Sequence, residues 1–242
     1  VPEVGTNKVV RLTTSSTGSY LMAKSAKGLY SSYAVDKGVR VHQHIGVKAT
    51  GLTISSKPNE GVTISYEAIS RNEQATATTT AAQLAALSLP RGLLIHSDLT
   101  VLVSDQTDPL VAGDVVEVEG VEFKLMRPQD KKLVSGADMI KEPREDGERD
   151  CLLTLDVPRY EAATYKNYAL NKTHLQAKLQ WFNGTLYRSL LLTNGRIMGD
   201  VEIPTDGVKA YPQKIQIVFA INNGENLFLP QQYEAEMYFG AA

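Results

Sequence analysis

Three Asn-Gly pairs in the second half of the chain constrain its fold more than any other feature of the sequence. They are Asn183-Gly184, Asn194-Gly195 and Asn223-Gly224, and runs of alternating apolar and polar residues lie around them. Asn-Gly favours a two-residue turn in which both residues have positive φ, and such a turn reverses the chain between antiparallel strands. The pairs therefore predict a β-meander with strands at residues 175–181, 186–192, 196–203, 214–221 and 227–239.

The first half of the chain also shows the period of two that is typical of strands with one buried face. Apolar residues alternate with polar ones over residues 39–47, 62–68 and 99–103. Helical patterns are short, and they predict one helix at about residues 80–89 and a second within residues 161–170. The predicted fold class is mainly β: an antiparallel β-barrel or sandwich with a hairpin meander and one or two short helices.

A strongly charged segment at residues 127–150 interrupts the apolar patterns. It holds six basic and seven acidic residues, together with Pro128 and Pro143. Mixed charge of this density cannot build a core, and two interpretations stay open: a solvated linker, or an arm that orders against a neighbouring copy. The segment separates an N-terminal barrel-like part at residues 1–126 from the meander at residues 151–242. These parts are either separate or packed together as one domain.

Composition argues against several classes of function. The 25 basic and 27 acidic residues give a net charge of −2, without the basic cluster that nucleic-acid binding needs. No run of about 18 apolar residues occurs, which argues against a membrane-spanning helix. The single cysteine, Cys151, excludes an internal disulfide and is expected to be a buried apolar residue.

We find no motif for a serine nucleophile, a phosphate-binding loop or a zinc protease. His42 and His44 lie two apart in a predicted strand and share a face, where they could hold a metal, but no sequence neighbour offers a third ligand. Asp105, Asp108 and Asp114 lack the spacing of a calcium loop and are typical of turns. The sequence therefore predicts no enzymatic activity, no cofactor and no metal site.

A distinctive pattern covers residues 109–126, which read as a proline, a spacer, Gly113-Asp114, a strand, Glu119-Gly120 and a second strand. The alternation of apolar residues predicts a hairpin with its turn at Glu119-Gly120. This pattern resembles the hairpin of small β-barrel proteins in tailed-phage necks, the head-completion and stopper family. The resemblance implies a non-enzymatic virion structural protein that forms a ring in the neck or head–tail connector, or completes the tail.

The same resemblance implies partners and a location. The partners would be copies of the chain itself, in a ring or shell, and other virion structural proteins, without a membrane or sequence-specific nucleic acid. The protein would be synthesised in the host cytoplasm and end in the virion. Two alternatives stay open: a phage tail tube, baseplate or capsid-associated protein, and, in another class, a β-sandwich adhesin or carbohydrate-binding module.

Interface residues are predicted on the charged segment and near the C-terminus. Tyrosine joins an apolar ring to a polar tip, which suits protein interfaces, and an unpaired edge strand invites pairing with another chain. We therefore expect the edge of residues 214–239, or the charged arm, to contact a neighbouring subunit. The candidate residues are Arg127, Lys131, Lys132, Arg144, Glu145, Arg149, Tyr233 and Tyr238.

Overall fold

The computed structural model describes residues 8–10, 31–36, 40–74, 80–85, 93–126, 128–130, 144–145, 150–158, 164–184, 186–199, 213–219 and 235–241. The strands are β1 (Lys8–Val10), β2 (Ser31–Asp36), β3 (Val41–Ser56), β4 (Thr63–Ile69), β5 (Asn72–Gln74), β6 (Leu99–Asp105), β7 (Val115–Val116), β8 (Gly120–Met126), β9 (Gln129–Asp130), β10 (Arg144–Glu145), β11 (Asp150–Val157), β12 (Leu175–Phe182), β13 (Leu186–Ile197), β14 (Gln213–Phe219) and β15 (Ala235–Ala241). The α-helices are α1 (Ala81–Ala85) and α2 (Thr164–Leu170), and short 3-10 turns lie at His96–Asp98 and Ala112–Asp114. The described part of the chain is mainly antiparallel β, which confirms the predicted fold class.

One antiparallel sheet contains nearly all of these strands. Its main path runs β2-β3-β8-β11-β14-β13-β12-β6-β7. Strands β4 and β5 pair with β3 beside this path, and β15 pairs with both β13 and β1. The sheet curls into a half-barrel, while β9 and β10 form a separate two-stranded ribbon.

The core of the half-barrel follows from the period of two. In β8, Phe123 and Leu125 are buried while Glu122 and Lys124 are exposed, and β12 and β14 also bury every second residue. Buried residues of these strands form one cluster with others from β3, β6, β11 and β13, so strands before and after the charged segment share a core. Full burial of one Leu or Phe side chain contributes roughly 1.5–3 kcal/mol, which makes this cluster the main source of stability.

The Asn183-Gly184 pair joins two strands, as predicted. Strands β12 and β13 run antiparallel on either side of it, with Phe182 opposite Tyr187. Within the pair Gly184 has positive φ, at 88°, whereas Asn183 does not, so this is not the two-residue turn in which both residues have positive φ. The predicted hairpin is confirmed, and its predicted turn type is wrong.

The Asn194-Gly195 pair does not reverse the chain, which corrects the predicted meander. Strand β13 runs through both residues, and its pairing with β12 shifts there: Ala177 lies opposite Leu192, but Leu175 lies opposite Gly195. Asn194 has a φ of 63°. The positive φ therefore forms a bulge inside a continuing strand, beyond which β13 pairs with β14 instead of β15.

The third pair, Asn223-Gly224, lies outside the described residues. The strands predicted on either side of it are present as β14 and β15, but these two strands do not pair with each other. Both pair with β13, β15 along residues 186–192 and β14 along residues 195–197. The hairpin predicted between them is wrong, because one long strand accommodates both as neighbours.

The hairpin predicted at Glu119-Gly120 is also wrong. Strand β7 pairs with β6, whereas β8 pairs with β3 and β11 in another part of the sheet. The backbone N–H of Glu119 donates to the carbonyl of Asp156 at 2.7 Å, which directs the chain along β11 instead of back along β7. A Cβ at Gly120 would lie 2.9 Å from an Asp156 carboxylate oxygen, and this close approach favours glycine.

Helices are present within both predicted ranges. A reciprocal pair of hydrogen bonds caps α1: the Thr80 backbone N–H donates to Gln83 Oε1 at 2.9 Å, and the Gln83 N–H donates to Thr80 Oγ1 at 3.2 Å. In α2, the rings of Tyr165 and Tyr168 lie 6.3 Å apart, edge to face, and pack against the core. No helix in the described part of the chain is long and apolar enough to cross a membrane.

The charged segment leaves and re-enters the sheet between two neighbouring strands. Strands β8 and β11 pair directly, with Met126 opposite Asp150. A short ribbon follows, in which Asp130 of β9 lies opposite Arg144 of β10. The segment is therefore the connection between two adjacent strands of one sheet.

Candidate functional site

His42 and His44 lie on β3, and the polar contacts of His42 tie strands together. His42 Nδ1 lies 2.6 Å from Glu73 Oε1, and Arg40 Nη2 donates to the same oxygen at 3.1 Å. The hydrogen bond from His42 holds the pKa of Glu73 below its usual value. These contacts fasten β5 to the first half of β3. No group of three possible ligands arranged for a metal ion occurs in the part of the chain that the structure describes.

A Ser-His pair lies at the end of β3, where no local motif signals it. Ser56 Oγ is 3.0 Å from His96 Nδ1, and His96 Nε2 is 3.2 Å from the carbonyl oxygen of Val118. A carbonyl only accepts, so Nε2 carries the proton and Nδ1 accepts from the hydroxyl, as in a serine nucleophile and its base. Ser56 is only 1% exposed, so a substrate does not reach it. The pair joins three segments of the fold.

Two of the acidic residues that were compared with a calcium loop act as turn formers. Asp105 Oδ1 accepts hydrogen bonds from the backbone N–H of Thr107 at 2.9 Å and from its hydroxyl at 2.8 Å. These two bonds lower the pKa of Asp105, the backbone bond most strongly. Asp114 Oδ2 accepts from the backbone N–H of Val111 at 2.8 Å. Both carboxylates therefore serve their own loops, which confirms the interpretation as turn residues.

Cys151 and Trp181 are buried, and Tyr165 packs against the same core. Cys151 is 1% exposed and Trp181 is 3% exposed, and both lie in the core cluster. Burial raises the pKa of Tyr165 to about 12, consistent with its packing against that cluster. A carbohydrate platform needs rings that face solvent, and Trp181, the single tryptophan, does not.

A surface groove of about 570 Å³ crosses the ends of β3, β8, β11 and β14. Lys57 and Lys214 line it together with Glu119 and Asp156. Its lining holds no histidine, cysteine or hydroxyl group, so the groove offers no pair of a nucleophile and a base. Its mixed charges suit a polar contact with another protein surface better than a chemical reaction.

Strand β4 is exposed along nearly its whole length. Its described partner is β3 alone, whereas β8, β11, β12, β13 and β14 are paired on both sides. Every residue of β4 from Thr63 to Ala68 is exposed, including Ile64 at 58% and Tyr66 at 45%. An edge strand of this length, with exposed apolar side chains, is a template for pairing with another chain.

Exposed apolar side chains of β2 lie next to this edge. The ring of Tyr33 lies 5.7 Å from the ring of Tyr66, and Val35 follows Tyr33 on the same face of β2. We call Tyr33, Val35, Ile64 and Tyr66 the hairpin patch. All four are large apolar or aromatic residues, and at least a third of each is exposed. At the other end of the main path, Val115 of β7 is also half exposed.

The predicted interface residues fall largely outside the described part of the chain. Arg144 and Glu145 lie in β10, and Tyr238 lies in β15 opposite Val9 and Ser189. Strands β14 and β15 each have a neighbour on both sides, so their edges are not open. The remaining five candidates lie outside the described residues: Arg127, Lys131, Lys132, Arg149 and Tyr233.

Comparison with known proteins gives the class of this molecule. A sequence profile described as "Phage tail tube protein" matches residues 10–223, which is most of the chain. The chain is thus a structural protein of the phage tail, and a component of the virion. It belongs to the phage tail tube protein family. The coarse expectation of a phage structural protein is confirmed. The resemblance to neck stoppers depended on a hairpin at Glu119-Gly120, which the structure does not contain.

Comparison with solved structures gives only a remote match. A structure titled "Crystal structure of Hcp protein" matches with a TM-score of 0.33 and 15% sequence identity. The match covers 50% of this chain and 87% of that one. A likeness of this degree is too remote to support an inference. No curated protein matches the chain.

Proposed function

We propose that this protein is the repeating subunit of a phage tail tube and that it acts by associating with copies of itself. The observation that carries the proposal is the family match over residues 10–223. A tube is built from many copies of one subunit, so each copy needs at least two complementary surfaces. The sheet of this protein has open strands that meet this requirement.

The open edge of β4 and the hairpin patch beside it are the first of these surfaces. An isolated soluble chain gains nothing from an exposed edge flanked by Ile64 and Tyr66, whereas a neighbour that pairs with β4 buries both. The opposite end of the sheet, at β7, is the second candidate surface. Contact between unlike surfaces on successive copies closes into a ring or continues as a tube.

The charged segment at residues 127–150 is the proposed site of contacts with further copies or with other virion proteins. Its mixed charges cannot form a core. They can pair with a surface of complementary charge on another protein, and such pairing favours the correct partner. The interface residues proposed there are Arg127, Lys131, Lys132, Arg144, Glu145 and Arg149, with Tyr233 and Tyr238 near the C-terminus. The family match, and not these residues, supports the tube in preference to the neck or connector.

The proposed role involves no chemical turnover, cofactor or metal. Ser56 of the Ser56–His96 pair is buried, and His42 is engaged with Glu73. Nothing in this geometry requires a reaction, and a tube subunit needs only to bind its neighbours. After synthesis in the host cytoplasm, the chain would be consumed by assembly into the tail.

Electron microscopy of purified protein and of virions tests this role. We expect the purified chain to form rings or tubes as its concentration rises, and gold-labelled antibodies against it to mark tails of disrupted virions. Labelling confined to heads, with a purified chain that stays monomeric at every concentration, would contradict the proposal.

A further inference from the structure

Two Asn-Gly pairs lie in different environments, one exposed between two strands and the other inside a strand. In such a pair the backbone nitrogen of glycine can attack the side-chain amide of the preceding asparagine. The attack needs a flexible backbone, because the nitrogen must approach the amide carbon outside regular strand geometry. Glycine helps, since it has no side chain to shield its nitrogen or to limit its φ.

Asn183-Gly184 lies outside regular strand geometry. Both residues are exposed in the turn between β12 and β13, outside both strands. No atom lies within 4 Å of the position that a Cβ on Gly184 would occupy, so the space beside its backbone is open. The Asn183 amide is held at the surface, where Nδ2 donates to the carbonyl oxygen of Leu93 at 3.2 Å.

Asn194-Gly195 lies inside strand β13. Gly195 is buried and lies in the sheet between Leu175 of β12 and Phe219 of β14. The Asn194 backbone N–H donates to Gln106 Oε1 at 2.7 Å, and its side-chain Oδ1 accepts from His174 Nδ1 at 2.7 Å. Attack at this site therefore requires the bulge to open first, which lowers the population of reactive conformers.

We propose that Asn183 is a site of spontaneous deamidation in the folded protein and that Asn194 is protected from it. The Gly184 nitrogen loses its proton and forms a bond to Asn183 Cγ. The Cγ–Nδ2 bond breaks, and Nδ2 leaves as ammonia. Water then opens the five-membered imide at either carbonyl, giving aspartate or isoaspartate. The step involves no oxidation or reduction, and water is the only co-reactant.

The product changes a contact that ties two parts of the fold. The Nδ2–H donor to Leu93 is replaced by a carboxylate, which cannot donate and is repelled by the carbonyl oxygen. Leu93 precedes the segment that meets the end of the β3–β4 hairpin, where the Val62 backbone N–H donates to the carbonyl of Leu94 at 2.9 Å. Deamidation at Asn183 therefore loosens the β12–β13 turn from this segment and adds one negative charge there.

Peptide mapping by mass spectrometry tests the proposal on the full chain during incubation at mildly alkaline pH. We expect conversion at Asn183 to be roughly tenfold faster than at Asn194, the ratio that a local opening cost of about 1.4 kcal/mol at Asn194 produces. In urea-unfolded chain both sites should convert at similar rates. The Asn183→Gln variant should show no fast conversion at this position, because its longer side chain does not form the five-membered ring.

A second variant tests the structural consequence of deamidation separately from its rate. Asn183→Asp mimics the product, and hydrogen exchange of residues 93–95 should be faster in it than in the wild type. Equal conversion of Asn183 and Asn194 in the folded chain, or faster conversion of Asn194, would overturn the proposal. So would a folded-state rate at Asn183 far below its rate in the unfolded chain.

Discussion

At the scale of single residues, Gly195 has the least room for a side chain among the glycines that the structure describes. A Cβ built there would lie 2.5 Å from the Phe219 ring and 2.8 Å from Ile217. Both neighbours are fully buried, so neither has room to move. We expect Gly195→Ala to reduce the free energy of unfolding by about 1–3 kcal/mol, as overpacking does in other cores.

Chemical denaturation measures this effect, and the protein supplies a matched control. Gly113 lies in a surface 3-10 turn where nothing comes within 4 Å of a Cβ. Gly113→Ala should leave the unfolding midpoint almost unchanged. Equal midpoints for the two alanine variants would show that β13 does not approach β14 as described.

The carboxylate of Asp105 gives a prediction about pH. Its pKa is lowered by hydrogen bonds from the backbone N–H and the hydroxyl of Thr107. Because the pKa is lower in the folded state, the stabilisation is present above the usual aspartate value and is lost as the pH falls through the lowered one. Thr107→Val removes the hydroxyl and keeps the N–H, so the pKa of Asp105 should rise but stay below its ordinary value.

Carbon-detected NMR titration of the Asp105 carboxyl measures this shift, with Thr100→Val on the exposed side of β6 as the control. An Asp105 pKa that is the same in the Thr107→Val variant and the wild type would refute the role of the hydroxyl.

At this scale the sequence was informative about local contacts. Aspartate two residues before threonine is a turn signal, whereas the Ser56 and His96 side chains meet across 40 residues of chain.

At the scale of elements, the open strand β4 carries the prediction about assembly. Ile64 is 58% exposed, so Ile64→Lys should change the stability of the isolated subunit by less than about 0.5 kcal/mol. If a neighbour buries Ile64, the same change should raise the concentration needed for assembly by about tenfold or more. Sedimentation velocity across a dilution series measures both the subunit and its assemblies.

The control for this experiment is Leu170→Lys, which places the same charge at another exposed aliphatic residue, at the end of α2, a helix that packs against β13. It should assemble like the wild type. If Ile64→Lys and Leu170→Lys assemble equally well, β4 is not part of an interface between copies.

Strands were easier to predict than their neighbours. A period of two in residues 214–221 correctly placed β14, since alternation depends only on which face is buried. It could not show that β14 lies between β11 and β13, because pairing depends on contacts distant in sequence. The same limit explains the three chain reversals predicted wrongly, at Asn194-Gly195, Asn223-Gly224 and Glu119-Gly120. It also explains why residues 62–68 carry no signal that β4 lies at an edge.

At the scale of the whole molecule, a single curled sheet joins residues on both sides of the charged segment. We propose that residues 1–126 and 151–242 fold as one unit, because Phe123 and Leu153 belong to the same core cluster and β8 pairs with β11. Turns and alternating residues predicted a mainly β protein, whereas the virion role was implied only by the resemblance of residues 109–126 to the hairpin of phage neck proteins. The sequence did not distinguish tube from neck, because a period of two and turn residues indicate strands but not which neighbours those strands meet.

The central claim is that copies of this chain contact one another in the phage tail. Cross-linking of native virions followed by mass spectrometry tests it most directly. We expect cross-links from Lys57, the reactive residue close to the open edge of β4, that are not satisfied within one copy and therefore join it to a different surface of a second copy. Links to other tail proteins should accompany them. A set of cross-links that are all satisfied within one copy, with none to a second copy or to another tail protein, would contradict the account.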